Sequence, residues 1–304
     1  MKEKKTSIIS ASPKARKFAR EIGADLHLVD GSQREGRINE EDIKAFVKNS
    51  LSGNVSKGKE TTTQAYDHSE FGEVDVKPIP RIKKIAGPHL QKSWNEIPHV
   101  TQHDEADITE METFRKSLRD LYTGNKISVT PLSFIIRAVV KALKDYPNFN
   151  ASLDLKNNQI IYKKYYHIGI AVDTPHGLMV PKIRDADKKD ITKLGKELKK
   201  VSELASSLKI EKKEFFGGSM TISSLGSIGG SFFTPIINQP EVAILGVGKA
   251  ERKQVFIKDK YESRIMLPLS LSYDHRVIDG AEGARFCVHL KESLGKDFAY
   301  KLAV

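Results

Sequence analysis

Residues 263–274, SRIMLPLSLSYD, form an apolar run long enough for a buried strand, and the chain leaves it through the charge-dense DHRVIDG, 274–280. That succession constrains the fold more than any other stretch. The strand has to end at the edge of a core, because a helix pattern, AEGARFCVHLKESL (281–294), begins at once. A strand that simply stopped would turn on Gly, Asn or Ser and leave its ionisable groups in water. Here Asp274, His275, Arg276 and Asp279 stand where the chain has just come inward. Asp279, followed by Gly280, can cap the next helix. His275 is then left with a ring nitrogen for chemistry, and a histidine neutral near pH 7 is the usual general base for a hydroxyl or thiol. The competing reading is a core histidine satisfied by backbone.

From Lys77 onward helix and strand patterns alternate. Residues 108–122 and 130–146 read as amphipathic helices, the second with Pro131 at its first position, and 185–209 as a long helix with a polar face. Strands are expected over 160–174, 177–185, 218–226, 241–257 and 263–274. Such mixing argues for one α/β domain over 77–304. Residues 12–47 read as a separate small unit of two helices: Ser12 caps the first, Pro13 opens it, Gly23 closes it, and Asn39 caps the second. A unit of that size buries little surface. Residues 48–76 lack period and apolar content and read as a flexible linker, and 1–11 as a tail.

A second chemical stretch is GGSMTISSLGSIGGSFFTPIIN, 217–238, in which Thr221, Ser223 and Ser224 precede a glycine-rich loop. A hydroxyl beside a base can serve as nucleophile or oxyanion donor. The glycines lack nucleotide-loop spacing, and there is no G-x-S-x-G elbow. His99 and His103 have no cysteine or helical pattern to support a metal site, so none is expected. The single Cys287 excludes an internal disulfide and falls among apolar helix positions. A net charge of +11 favours acidic partners, but much of it lies in lysine runs typical of a solvated helix face. Nothing points to nucleic acid, and no run is long and apolar enough to span a membrane or to serve as a signal-peptide core. A cytoplasmic location is expected, with an organelle matrix as the alternative.

SYDHRVIDGAEGARF resembles the signature of the dihydrolipoamide acyltransferases, the E2 core subunits of 2-oxo-acid dehydrogenase complexes. The likeness runs through IPHVTQHDEADITEMETFR, TPLSFIIRAVVKALKDYPNFNASL, DTPHGLMVPKIRDAD and GSMTISSLGSIGGSFFTPIINQPEVAILGVGK, and so covers 77–304. IPHVTQHDEADITEME and QPEVAILGVGK are closest to the pyruvate-type acetyltransferases. Residues 12–47 are similar to the family's peripheral subunit-binding domain, which docks E1 and E3. The resemblance implies an α/β fold like that of chloramphenicol acetyltransferase, in homotrimers that build a cubic core, an icosahedral one being the alternative, with active sites between subunits. It implies acetyl transfer between a dihydrolipoyl thiol and coenzyme A, without a metal. The matching positions make His275 the base and Ser223 the oxyanion donor from across the interface. Asp279 would brace the histidine loop, with Arg81 as its salt-bridge partner, and Arg16, Arg20 and Arg37 would meet acidic surfaces of E1 and E3. Two departures concern docking: Gln33 replaces a glycine of the family's loop, and His27 occupies a basic position. No D-K-A lipoylation motif occurs, so the lipoyl group would come from a lipoyl domain not present in this chain. Other expectations stay open: a 2-oxoglutarate or branched-chain complex, a mainly scaffolding role for E1 and E3, or another acyltransferase with the same histidine motif. The helical unit at 12–47 weighs against the last.

Overall fold

The computed structural model describes residues 10–51, 67–119, 122–127 and 129–302. Tertiary contacts divide the chain into two compact units, Met1–Val76 and Lys77–Val304. In the first, α1 (Pro13–Ile22) is capped by Ser12, whose Oγ accepts the Ala15 N–H at 3.1 Å, and it closes on Gly23 at φ 70°. Helix α2 (Glu40–Leu51) starts on Asn39, whose side-chain oxygen accepts the N–H groups of Glu41 and Asp42 at 2.8 and 2.9 Å. The Asp42 carboxylate reaches back to the N–H groups of Asn39 and Ser32 at 3.0 and 3.1 Å, which ties the preceding loop to the helix. Those bonds hold its carboxyl below the usual range. The core of this unit is Ala15, Ala19, Val29, Ile38 and Ile43. Of the linker expected at 48–76, residues 52–66 lie outside the described residues, as do 1–9 of the tail.

The second unit begins with α3 (Arg81–Glu96), β1 (His99–Asp107), α4 (Thr109–Ser117) and α5 (Pro131–Asp145). There follow β2 (Ala151–Asp154), β3 (Gln159–Tyr162), β4 (Ile168–Ile170), β5 (Lys182–Ile183), α6 (Ile191–Ser206) and β6 (Met220–Ser224). It closes with β7 (Ala243–Val247), β8 (Glu251–Ile257), β9 (Lys260–Asp274), α7 (Gly280–Leu294) and α8 (Phe298–Leu302). The main sheet runs β1-β9-β7-β6-β4-β5, with β8 also on β9. It is mixed: β4, β6 and β7 are parallel, and β1, β5, β8 and β9 are antiparallel to their neighbours. An α/β unit preceded by a small helical one is the architecture the sequence predicts.

The strand β9 organises this sheet. Its side chains alternate between faces, as a pleat requires. Leu267, Leu269, Leu271 and Tyr273 enter the main core with Phe134, Phe149 and Phe286. The opposite face carries Ser270 and Ser272, both buried, and they bond across to β1: Thr101 Oγ1 meets Ser272 Oγ at 2.7 Å, and His103 Nδ1 meets Ser270 Oγ at 2.9 Å. Hydroxyls tolerate this burial because they are paired. Phe233 lies against Gly246 on the same face, where a Cβ would come within 2.8 Å of its ring.

Several expected elements are shorter or split. The helix expected over 108–122 ends at Ser117, after which Arg119 forms a bridge with Lys126. The strand expected over 160–174 breaks into β3 and β4, which belong to different sheets. The strand expected over 241–257 is β7 and β8, parted at Gly248, where a side chain would run into the Ser231 carbonyl. Helix α3, with Pro88 inside it, was not anticipated.

Candidate active site

The turn that follows β9 is held from every side. Asp274 N–H donates to Val242 O at 2.9 Å, and His275 N–H donates to Pro98 O at 3.1 Å. The N–H groups of Val277 and Ile278 both donate to Asp274 O at 3.0 Å. The Asp274 carboxylate is buried, and Arg276 encloses it: Oδ1 accepts the Arg276 backbone N–H at 3.0 Å and Nε at 2.9 Å, and Oδ2 accepts Nη2 at 2.6 Å. At the far end Asp279 caps α7, its Oδ1 accepting the Glu282 N–H at 2.7 Å. His275 itself is exposed, and among the described residues neither of its ring nitrogens is hydrogen-bonded. A ring fixed at its backbone and free at its nitrogens can move a proton.

The same end of the sheet shows why the other histidines are not in this position. His99, opposite Asp274 in register, donates Nδ1–H to Ile97 O at 2.8 Å and accepts the Ile237 N–H on Nε2 at 3.0 Å. Both its nitrogens serve the fold. His103 bonds Ser270 through Nδ1. Among the described residues no cluster of metal-ligating side chains occurs.

The three hydroxyls of β6 separate by what they already hold. Thr221 is buried and donates to Glu241 Oε2 at 2.6 Å. Glu241 also takes Lys182 Nζ at 2.6 Å, in an ion pair that is 1% exposed on both sides. Lys163, beside them, donates to Ala151 O at 2.9 Å, and burial pushes its pKa down from 10.5 to about 8, Glu241 opposing and Lys182 adding to the shift. Sequence reading missed this cluster; the apolar setting of Lys182 in LMVPKIRD was its only signal. Ser224 lines a cavity of about 1100 Å³ between the sheet and α5 and α6. Ser223 is half-buried on the opposite face of the strand, and its hydroxyl makes no bond among the described residues.

Ser223 and His275 are not together in one chain. Ser223 pairs with Gly246, which pairs with Ser270, and His275 lies five positions farther along. At about 3.4 Å per residue and 4.8 Å per strand, they are separated by roughly 17 Å along the sheet and 10 Å across it. A base and an oxyanion donor serving one carbonyl must each approach to about 3 Å.

Arg81 opens α3 and is exposed, and within this single chain no ion pair joins it to Asp279, whose Oδ1 caps α7. In the first unit Arg16, Arg20 and Arg37 are exposed, Arg16 also reaching Ala11 O at 3.3 Å.

Two family descriptions match the chain: 2-oxoacid dehydrogenases acyltransferase (catalytic domain) over residues 71–299, and e3 binding domain over 9–44. The chain is 48% identical over 297 residues to the dihydrolipoyllysine-residue acetyltransferase component of the pyruvate dehydrogenase complex of Cupriavidus necator. That match takes in 93% of this chain and 53% of the relative, and the chain spans about half the length of the first curated relatives it matches. A crystal structure of Azotobacter vinelandii dihydrolipoamide acetyltransferase superposes with a TM-score of 0.75 at 45% identity, covering 78% of this chain and 97% of that one. A structure described as the cubic core of the pyruvate dehydrogenase multienzyme complex gives the same figures.

Proposed function

The chain belongs to the 2-oxoacid dehydrogenase acyltransferase family, and we propose that it moves an acetyl group between the dihydrolipoyl thiol of a lipoyl domain and coenzyme A. The carrying observation is His275, held by its backbone on a braced turn with both ring nitrogens free. An ordinary thiol near pKa 8.5 is largely protonated at neutral pH, so it needs a base. His275 takes the S–H proton, the thiolate attacks the acyl thioester carbonyl, and Ser223 Oγ–H donates to the oxyanion. Collapse expels the second thiolate, which recovers the proton from His275. Asp279 contributes by fixing α7 and with it the far end of the loop.

The separation of Ser223 and His275 supports a site built from two copies, His275 from one and Ser223 from the next. Exposed apolar side chains on α3, Ile85 and Trp94 at 68% and 58%, are consistent with a neighbouring copy in a homotrimer. The relatives' names favour the acetyl group and a cubic pyruvate dehydrogenase core over a 2-oxoglutarate or branched-chain complex. The cavity between the sheet and α5 and α6 carries Lys116, Lys196, Lys199 and Arg252, which suit the phosphates of coenzyme A. Four carboxylates also line it, one of them Glu112, which Arg115 already binds through two bonds at 2.8 and 2.9 Å.

Residues 12–47 dock E1 and E3 in this reading, through Arg16, Arg20 and Arg37 as bidentate partners of carboxylates. The lipoyl domain is a further partner, and the cytoplasm the compartment. No helix among the described residues is long and apolar enough to cross a membrane. The test is acetyl transfer from acetyl-CoA to free dihydrolipoamide. His275→Ala should lose about 10²–10⁴-fold in turnover, and an undiminished rate would overturn the role given to this histidine.

A further inference from the structure

Arg276 and Asp274 bracket His275, and the assignments above give neither a task. Their contact is not a surface ion pair. The Asp274 side chain is 3% exposed and that of Arg276 31%, and three Arg276 nitrogens, one of them backbone, converge on one carboxylate. Isolating a carboxylate this far from water is costly unless it is paired and hydrogen-bonded. Because the partners are two residues apart, their bonds draw the backbone into an arch with His275 at its apex. The apex is pinned on the other side by the bond to Pro98 O. Glu96, at the end of α3, adds its field to the guanidinium, and Gln239 Nε2 holds Glu96 at 3.2 Å. The clamp therefore joins the turn to α3 and to the segment leading into β7.

We propose that the Asp274–Arg276 pair is the positioning device of His275: it sets the direction of the imidazole without touching the reacting atoms. This rests on the assignment of His275 as the base. Asp279 fixes only the far end of the loop, four residues on, and no other side chain among the described residues bonds within the arch at 274–276. An arginine is required, because its planar fork engages both oxygens of one carboxylate, which a lysine ammonium cannot reproduce.

The experiment uses the assembled protein and the variants Arg276→Met, Arg276→Lys and Asp274→Asn/Arg276→Met. Arg276→Met should lower kcat by about 10²-fold, the effect of a misplacement near 1 Å. KM for acetyl-CoA and dihydrolipoamide should stay within about twofold, as a group acting only through the direction of the imidazole requires. Arg276→Lys should not rescue kcat. The double variant, which no longer buries an unpaired carboxylate, should regain thermal stability yet remain slow. A second readout does not depend on activity: the rate at which diethylpyrocarbonate modifies His275, followed by peptide mass, should change several-fold in Arg276→Met. That readout separates failure of the clamp from failure of the acyltransferase reading. Wild-type kcat in Arg276→Met, with His275 modified at the wild-type rate, would overturn the proposal. So would a loss of activity matching the fraction of unassembled protein.

Discussion

Side chains on the polar face of the sheet differ mainly in how far their bonding capacity is already used. Thr221, Ser270 and Ser272 are spent on neighbours, whereas Ser223 is not. Residue spacing left Thr221, Ser223 and Ser224 as equals, and only the family resemblance picked out Ser223; in the structure Glu241, which has no local signature, takes up Thr221, and Ser224 faces the cavity. His275 was legible because ionisable residues ended an apolar run. Within the single chain the Asp279 carboxylate has the N–H of Glu282 as its partner and is not bonded to Arg81. Lys163 supplies a prediction at this scale. Its folded pKa, about 8, lies below the ordinary 10.5, chiefly through burial, with Lys182 facing it as a like charge and Glu241 as an opposite one. Between those values the unfolded chain binds more protons than the folded one, so the unfolding free energy rises with pH across that window. Lys163→Met removes this contribution. Denaturation from pH 7.5 to 10.5 should show the wild type gaining stability relative to the variant, and parallel curves would count against the buried cation.

Capping and packing decide where the elements end. Ser12, Asn39 and Asp279 are caps readable from sequence, and all three accept N–H groups of the helices they precede. Asp279→Ala should cost about 1 kcal/mol, the typical value of an N-cap, and lower Tm by roughly 2–4 °C. Asp279→Asn, an equally good cap, should retain most of that stability. Equal Tm losses in the two variants would mean that the carboxylate's charge, not the cap, is what matters. Elements were misread where the deciding contact is distant. The ends of β7 and β8 are set by Ser231 pressing on Gly248, and the end of α4 by the bridge between Arg119 and Lys126. Helix α3 escaped notice because Pro88 and its largely exposed face disturb the helical pattern.

The whole chain combines a small helical unit and an α/β acyltransferase unit, and the block-by-block resemblance made both readable. The resemblance already set Ser223 across an interface from His275; what residue patterns alone could not display is the distance between the two within one chain. Ser223 and His275 lie on strands whose register keeps them apart, so the proposed chemistry belongs to the assembly and not to the protomer. This is the central claim, and mixed assembly tests it directly. Ser223→Ala and His275→Ala proteins, each feeble alone, are unfolded together, reassembled at equal ratio and assayed for acetyl transfer. If each site takes its histidine from one copy and its serine from the next, random assembly restores both groups in roughly a quarter of all sites, about one in each mixed trimer. Activity should then climb to about that fraction of the wild type. Mixed particles no more active than the mean of the two parents would contradict the account.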